Sequence, residues 1–250
     1  MLKLPGRHDR KASDRRLGTR LTLAVALVAL FAVPFILLLV FVVSSFTPLN
    51  DLDESVARSL HTRALAEPRY THFLSVATEV LGPNVWRALV VAAALWLWYR
   101  GARRLAVWAV VTITVSGLLN LAVKEIVNRA RPVLPDPVAT APGASFPSGH
   151  AMAAATGVCV LVLILLPSLR STAARMTAWI VAAAIAIFVA YTRVALGVHW
   201  LSDVTAGLTL GVVVVAGTVA GFESWRREEG RRPVEPHKEG VEPERSEEMF

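Results

Sequence analysis

Between residues 21 and 43 the chain runs for 23 residues without one charged side chain. As a helix rising about 1.5 Å per residue, this run reaches roughly 34 Å, enough to cross a hydrocarbon core about 30 Å thick. A helix apolar on every face needs lipid or other helices around it, so an ordinary water-soluble domain and a disordered chain are both excluded. The run is also longer than the roughly 7–15 apolar residues of a secretory leader. No small-x-small cleavage site clearly ends it, and it is read as a retained first transmembrane helix. Pro34 lies inside it; lipid-embedded helices tolerate a proline kink where neighbours satisfy the freed carbonyl.

Five further apolar segments follow, at 81–99, 105–123, 151–166, 176–191 and 200–222. Pro83, Asn84 and Arg87 sit at the start of the first, where proline suits a helix N-terminus and arginine can reach the interface. Composition agrees: 54% of residues are hydrophobic, 18% are charged and the mean hydropathy is +0.52, against about 45–50% and 25% in soluble domains. The expected fold is all-α, a polytopic membrane protein with six transmembrane helices in a bundle spanning 21–222. With the N-terminus inside, the inner segments hold 18 of the 26 Lys and Arg residues. That bias predicts both termini cytoplasmic in a multi-pass plasma-membrane protein. The net charge of +7 and pI near 10.3 would suit nucleic acid, but the cations flank apolar blocks and form no stripe, so no nucleic-acid partner is expected. The single Cys159 excludes an intramolecular disulfide and a cysteine zinc cluster, and it reads as a small buried hydrophobe.

Three regions lie apart from the spans. Residues 1–20 form a basic head with seven Lys or Arg, and 223–250 a charged, proline-containing tail too polar to bury a core. The outer connection, 44–80, carries Leu52, Val56 and Leu60 at i, i+4 and i+8, with Asp53, Glu54, Arg58 and Arg63 between them. This spacing predicts an amphipathic helix in the outer interface, or equally a solvated loop helix. His61 and His72 within it read as surface residues.

Three polar clusters interrupt the apolar pattern, and the charge-derived topology puts all of them at the outer side. The first is Lys124-Glu-Ile-Val-Asn-Arg-Ala-Arg131-Pro132. Lys124 and Arg131 are seven apart, two helical turns, and would share a face before Pro132 stops the helix. The second is Ser145-Phe-Pro-Ser148-Gly149-His150, leading into a helix whose positive end makes an anion site. The third is Arg193-Val-Ala-Leu-Gly-Val-His199-Trp-Leu-Ser-Asp203. His199 and Asp203 are four apart on one helical face, and an ionisable group inside an apolar segment needs a partner. A carboxylate accepting from one ring nitrogen leaves the other as a nucleophile. Each cluster alone has a structural explanation as anchor, cap or ion pair. Together they supply three cations, two histidines and a carboxylate, a set suited to phosphate.

Lys-x6-Arg-Pro, Pro-Ser-Gly-His and Arg-x5-His-x3-Asp, in this order, resemble the three-part signature of the type 2 phosphatidic acid phosphatase superfamily. The motifs cover 124–203. Thr192 replaces the serine the family usually has before the arginine, keeping the hydroxyl. The resemblance implies that His199 attacks phosphorus and forms a phosphohistidine, that Asp203 orients it, and that His150 protonates the leaving oxygen. It implies phosphate binding by Lys124, Arg131, Ser148, Gly149 and Arg193, with no metal and no cofactor. Asn128 and Arg129 have no role in it and read as interfacial. The expected activity is hydrolysis of a lipid phosphate or diphosphate of the undecaprenyl diphosphate, phosphatidylglycerophosphate or phosphatidic acid type, on the extracytoplasmic face. The expected partners are that lipid and the bilayer, with the oligomeric state left open. Two alternatives stand beside it: a lipid-linked phosphotransferase using the same phosphohistidine, and a non-catalytic lipid-binding or transport protein.

Overall fold

The computed structural model describes residues 7–228, and every regular element among them is helical. The order is α1 (Arg7–Val43), α2 (Thr47–Ala66), α3 (Pro68–Val80), α4 (Pro83–Tyr99), α5 (Arg103–Val127), α6 (Gly149–Leu165), α7 (Thr172–Ala195) and α8 (Leu201–Glu228). A short 3-10 turn, Leu166–Ser168, follows α6. The basic stretch from Arg7 onward forms the beginning of α1, which continues through Pro34. Residues 1–6, and 229–250 of the expected charged tail, lie outside the described residues.

Local chemistry sets the boundaries. Prolines open α2, α3 and α4, where a missing N–H costs nothing and φ is already helical. The Ser171 side chain accepts from Ala174 N at 3.0 Å and caps α7. Asn128, in the left-handed region at φ 44°, ends α5. That end falls four residues before Pro132, so Arg131 lies in the following loop and does not share a helical face with Lys124.

Six helical stretches are long and apolar enough to cross a membrane: Val25–Val43, Pro68–Tyr99, Arg103–Val127, Gly149–Ser168, Thr172–Ala195 and Leu201–Phe222. Leu30, Val40, Leu95, Leu118, Ile180 and Ile187 are each more than half exposed on their outer faces, the surface a hydrocarbon solvent covers. Inside, α6 and α8 form the central pair. Gly207 and Gly211 on α8 face α6 so closely that a Cβ on Gly207 would lie 2.6 Å from Ser148 O, and one on Gly211 2.9 Å from Ala155 Cβ. Small residues four apart let two membrane helices touch backbone to backbone. Against this pair α1 sets Phe35 and Val42, packed with Phe146, Met152, Ala206 and Leu210.

The stretch 44–80, expected as the outer connection, is not a simple amphipathic helix, and its second half belongs to the apolar stretch Pro68–Tyr99. It is α2 and α3, and the buried stripe of α2 is Asp53, Ala57, His61 and Ala64. Leu52 is exposed, while Val56 and Leu60 are only partly buried. The helix turns an acidic and small-residue face inward because Asp53 meets fixed donors there. His61 is buried, contrary to the surface reading, with Nε2 2.6 Å from Pro135 O. His72 is exposed as expected.

Candidate active site

Helices α5 to α8 alternate in direction, so the C-terminal ends of α5 and α7 meet the N-terminal ends of α6 and α8. Lys124 closes α5 and Arg193 closes α7; His150 opens α6 and Asp203 opens α8. A direct backbone bond, Ser148 N to Asp203 O at 2.9 Å, joins the two starting turns. The three clusters therefore occupy one end of the bundle.

The loop between α5 and α6 is folded back over this end. Ser145 N donates to Arg129 O at 2.8 Å and Ser145 Oγ to Ala130 O at 3.0 Å. Lys124 Nζ and Arg131 Nη2 both donate to Ala144 O. Arg131 also donates from Nε to Gly143 O, from Nη2 to Pro142 O, and from Nη1 to Val198 O at 2.6 Å. The same Nη1 lies 3.2 Å from His199 Nε2. Its hydrogen-bond partners are all neutral, and no carboxylate among the described residues is ion-paired with it beside that ring nitrogen.

His199 precedes α8 rather than lying on it, and the sequence expectation of a shared helical face with Asp203 gives way to a turn. The pair still meets: His199 Nδ1 is 3.3 Å from Asp203 Oδ2. A carboxylate only accepts, so Nδ1 carries the proton and Nε2 the lone pair. Asp203 Oδ2 also accepts from Trp200 N at 2.9 Å, the third-position carboxylate capping its own helix. Burial pulls the His199 imidazole down to about 4, helped by Arg131 and Arg193 and opposed by Asp203. It is neutral at pH 7.

His150 stands at the first turn of α6, half-buried, within electrostatic reach of Arg193, His199, Arg131 and Lys124. Arg193 is buried and donates from Nη1 to Thr78 Oγ1 at 3.0 Å. Its Nε has no hydrogen-bond partner among the described residues, and neither has the buried Oγ of Ser148. A Cβ at Gly149 would stand 3.1 Å from Asn120 Oδ1, so a side chain there would press on Asn120. Buried donors without acceptors, at a helix N-terminus, suit an anion. All eight residues expected from the sequence thus lie around one site. Among the described residues no three His, Cys, Asp or Glu side chains cluster as metal ligands.

Other residues at this end were not legible in the sequence. Arg129 is not interfacial: it reaches Asp203 Oδ1 and Asp53 Oδ2, each at 2.8 Å, and is 14% exposed. Asp53 lies 76 residues away on α2, and Thr78 is on α3. Local patterns cannot place such partners. A weak signal existed: Asp53 falls in the inner register of α2 with Ala57 and Ala64.

The sequence pattern of the PAP2 superfamily matches residues 105–227. Phosphatidylglycerophosphatase B of Bacillus subtilis (strain 168) is 37% identical over 107 residues, 42% of this chain and 52% of that protein. An undecaprenyl-diphosphatase of Sulfolobus acidocaldarius is 31% identical over 134 residues, 51% of this chain and 58% of that protein. The chain thus spans little more than half the length of these curated relatives. The crystal structure of a transmembrane PAP2-type phosphatidylglycerolphosphate phosphatase from Bacillus subtilis superposes with a TM-score of 0.67. The two are 25% identical, and the match covers 77% of this chain and 96% of that one. By its sequence over residues 105–227 and by its fold, the chain is similar to the PAP2 superfamily.

Proposed function

We propose that this protein hydrolyses the terminal phosphate of a membrane lipid phosphate or diphosphate through a phosphohistidine on His199. The observation that carries the reading is the meeting of a neutral, carboxylate-held imidazole with Lys124, Arg131, Arg193 and a helix N-terminus. His199 Nε2 attacks phosphorus; the N–P bond forms as the bond to the leaving oxygen breaks. His150 gives that oxygen a proton and then takes one from the water that releases phosphate. Lys124, Arg131, Arg193, Ser148 Oγ and the Gly149 N–H hold the phosphoryl oxygens as charge spreads over them. Arg131 moves from His199 Nε2 to a phosphoryl oxygen as the lone pair is used. These cations carry the charge, and the reaction is read as metal-independent.

The relatives act, by name, on phosphatidylglycerophosphate and undecaprenyl diphosphate, and both lipid classes fit the site. A groove of about 600 Å³ runs between α2, α7 and α8, lined by Val56, Leu60, Ala190, Val194, Leu201 and Leu208. Val194 and Leu201 border the site residues Arg193 and Asp203, so a hydrocarbon chain here places its headgroup at the cations. The charge bias of the connections supports the reading that this end faces the outside of the plasma membrane, with both termini inside. Purified protein in detergent should release phosphate from these lipids in the presence of EDTA. An undiminished rate in His199→Ala overturns the mechanism, and a rate abolished by EDTA overturns metal independence.

A further inference from the structure

Resting on the phosphohistidine reading, we propose that Arg129, clamped by Asp53, is a positioning residue that fixes Asp203 and through it the reactive tautomer of His199. The direction of each hydrogen bond in the clamp is fixed, because a guanidinium only donates and a carboxylate only accepts. Arg129 Nη1 donates to Asp203 Oδ1 at 2.8 Å and to Ser202 Oγ at 2.6 Å. Nη2 donates to Asp53 Oδ2 at 2.8 Å. Asp53 Oδ1 accepts from Ser202 N at 2.9 Å, and Ser202 Oγ donates to Asp53 Oδ2. The guanidinium lies 5.5 Å over the Trp200 ring. Asp53 and Asp203 are essentially inaccessible, at 1% and 0%.

The division of labour on Asp203 is the point. Oδ1 belongs to Arg129, and Oδ2 to His199 Nδ1 and Trp200 N. A carboxylate held at Oδ1 cannot rotate away from the ring, so Nδ1 stays protonated and Nε2 stays open to phosphorus. Arg129 differs here from the other cations of the site. The charge on Arg131 meets neutral carbonyls, Arg193 buries an unpaired Nε, and Lys124 meets one carbonyl. Arg129 already faces two carboxylates, which balance its charge in a way that no partner balances the charge of the other three. Two carboxylates and one guanidinium leave one net negative charge behind His199. When Nε2 bonds to phosphorus and Nδ1 keeps its proton, the ring becomes formally cationic, and that charge balances it. The outer connection 44–80 thereby acquires a part in the chemistry, since Asp53 comes from α2.

The test compares wild type with R129A, R129K, D53N and H199A in detergent. It reads steady-state phosphate release, thermal melting and the ¹⁵N spectrum of labelled histidine. For R129A, kcat should fall about 10- to 100-fold, as for groups that orient a reactive side chain from behind, with KM within about threefold. The His199 signal should shift from the Nδ1–H toward the Nε2–H form. R129K, which keeps the charge but cannot span both carboxylates, should recover part of the loss, and D53N should lie between R129K and wild type. Should R129A fail to fold, the near-isosteric D53N carries the same kcat and tautomer comparison. Variants that melt lower yet keep wild-type kcat and the Nδ1–H signal would show a merely structural tie and overturn the proposal. Full activity in H199A would instead overturn the phosphohistidine reading itself.

Discussion

Replacing Gly207 by alanine perturbs the contact that sets the distance between His150 and Asp203. The new Cβ would lie 2.6 Å from Ser148 O and 3.2 Å from both Ala151 Cβ and Met152 N. Unstrained carbon–oxygen contacts begin at about 3.3–3.6 Å, so α6 and α8 must part locally by nearly 1 Å. The Ser148 N to Asp203 O bond, 2.9 Å long, then passes out of range. Overpacking of this kind costs about 1–3 kcal/mol, and a 1 Å displacement of positioned groups about 100-fold in rate. Gly207→Ala should therefore stay folded with a lower melting temperature and lose about 10- to 100-fold in kcat. The control is on the same helix: a Cβ at Gly217 meets nothing within 4 Å, and Gly217→Ala should be neutral or slightly stabilising. Phosphate release and thermal melting in the same detergent decide it. Wild-type kcat and melting in Gly207→Ala would refute the close-contact argument.

Four further outcomes are expected. Because burial holds His199 near 4 while an unfolded imidazole titrates near 6.5, the unfolded chain binds more protons between these values. His199 then takes stability away as pH falls from about 6.5 to 4, and this slope should shrink in His199→Asn when melting is followed against pH. The ¹⁵N titration midpoint of His199 should fall near 4. Val194→Trp, filling the groove between α2, α7 and α8, should lower kcat/KM for long-chain lipid phosphates while leaving a short water-soluble phosphate ester nearly unaffected; equal losses on both would contradict the groove's assignment to the hydrocarbon chain. Thr78→Val removes the acceptor of Arg193 Nη1 and should cost about 1–3 kcal/mol in unfolding measurements, with a raised KM; an unchanged KM would remove Arg193 from phosphate binding.

The six spans were legible because a membrane imposes long apolar runs that no other environment explains. The three polar clusters stood out in the sequence for the converse reason: ionisable groups such as His199 and Asp203 are costly beside apolar spans, and such costs concentrate at functional sites. The local geometry was less legible. Lys124 and Arg131 converge through a loop, since Asn128 ends α5 early, and His199 meets Asp203 through a turn. Least legible were Asp53, His61 and Arg129. Leu52, Val56 and Leu60 advertised an apolar stripe on α2, but the buried face follows a carboxylate whose partners come from distant segments. Periodicity records which face is apolar; it does not record an ion pair that makes a polar face the inner one.

The central claim is a covalent bond between phosphorus and His199. The direct measurement is a rapid quench with a ³²P-labelled aryl phosphate, a substrate whose leaving group needs no proton from His150. The account predicts acid-labile, base-stable label on the peptide carrying His199, accumulating in His150→Ala, where water is not activated, and absent from His199→Asn. Turnover without label on His199, or label on another residue, would contradict it.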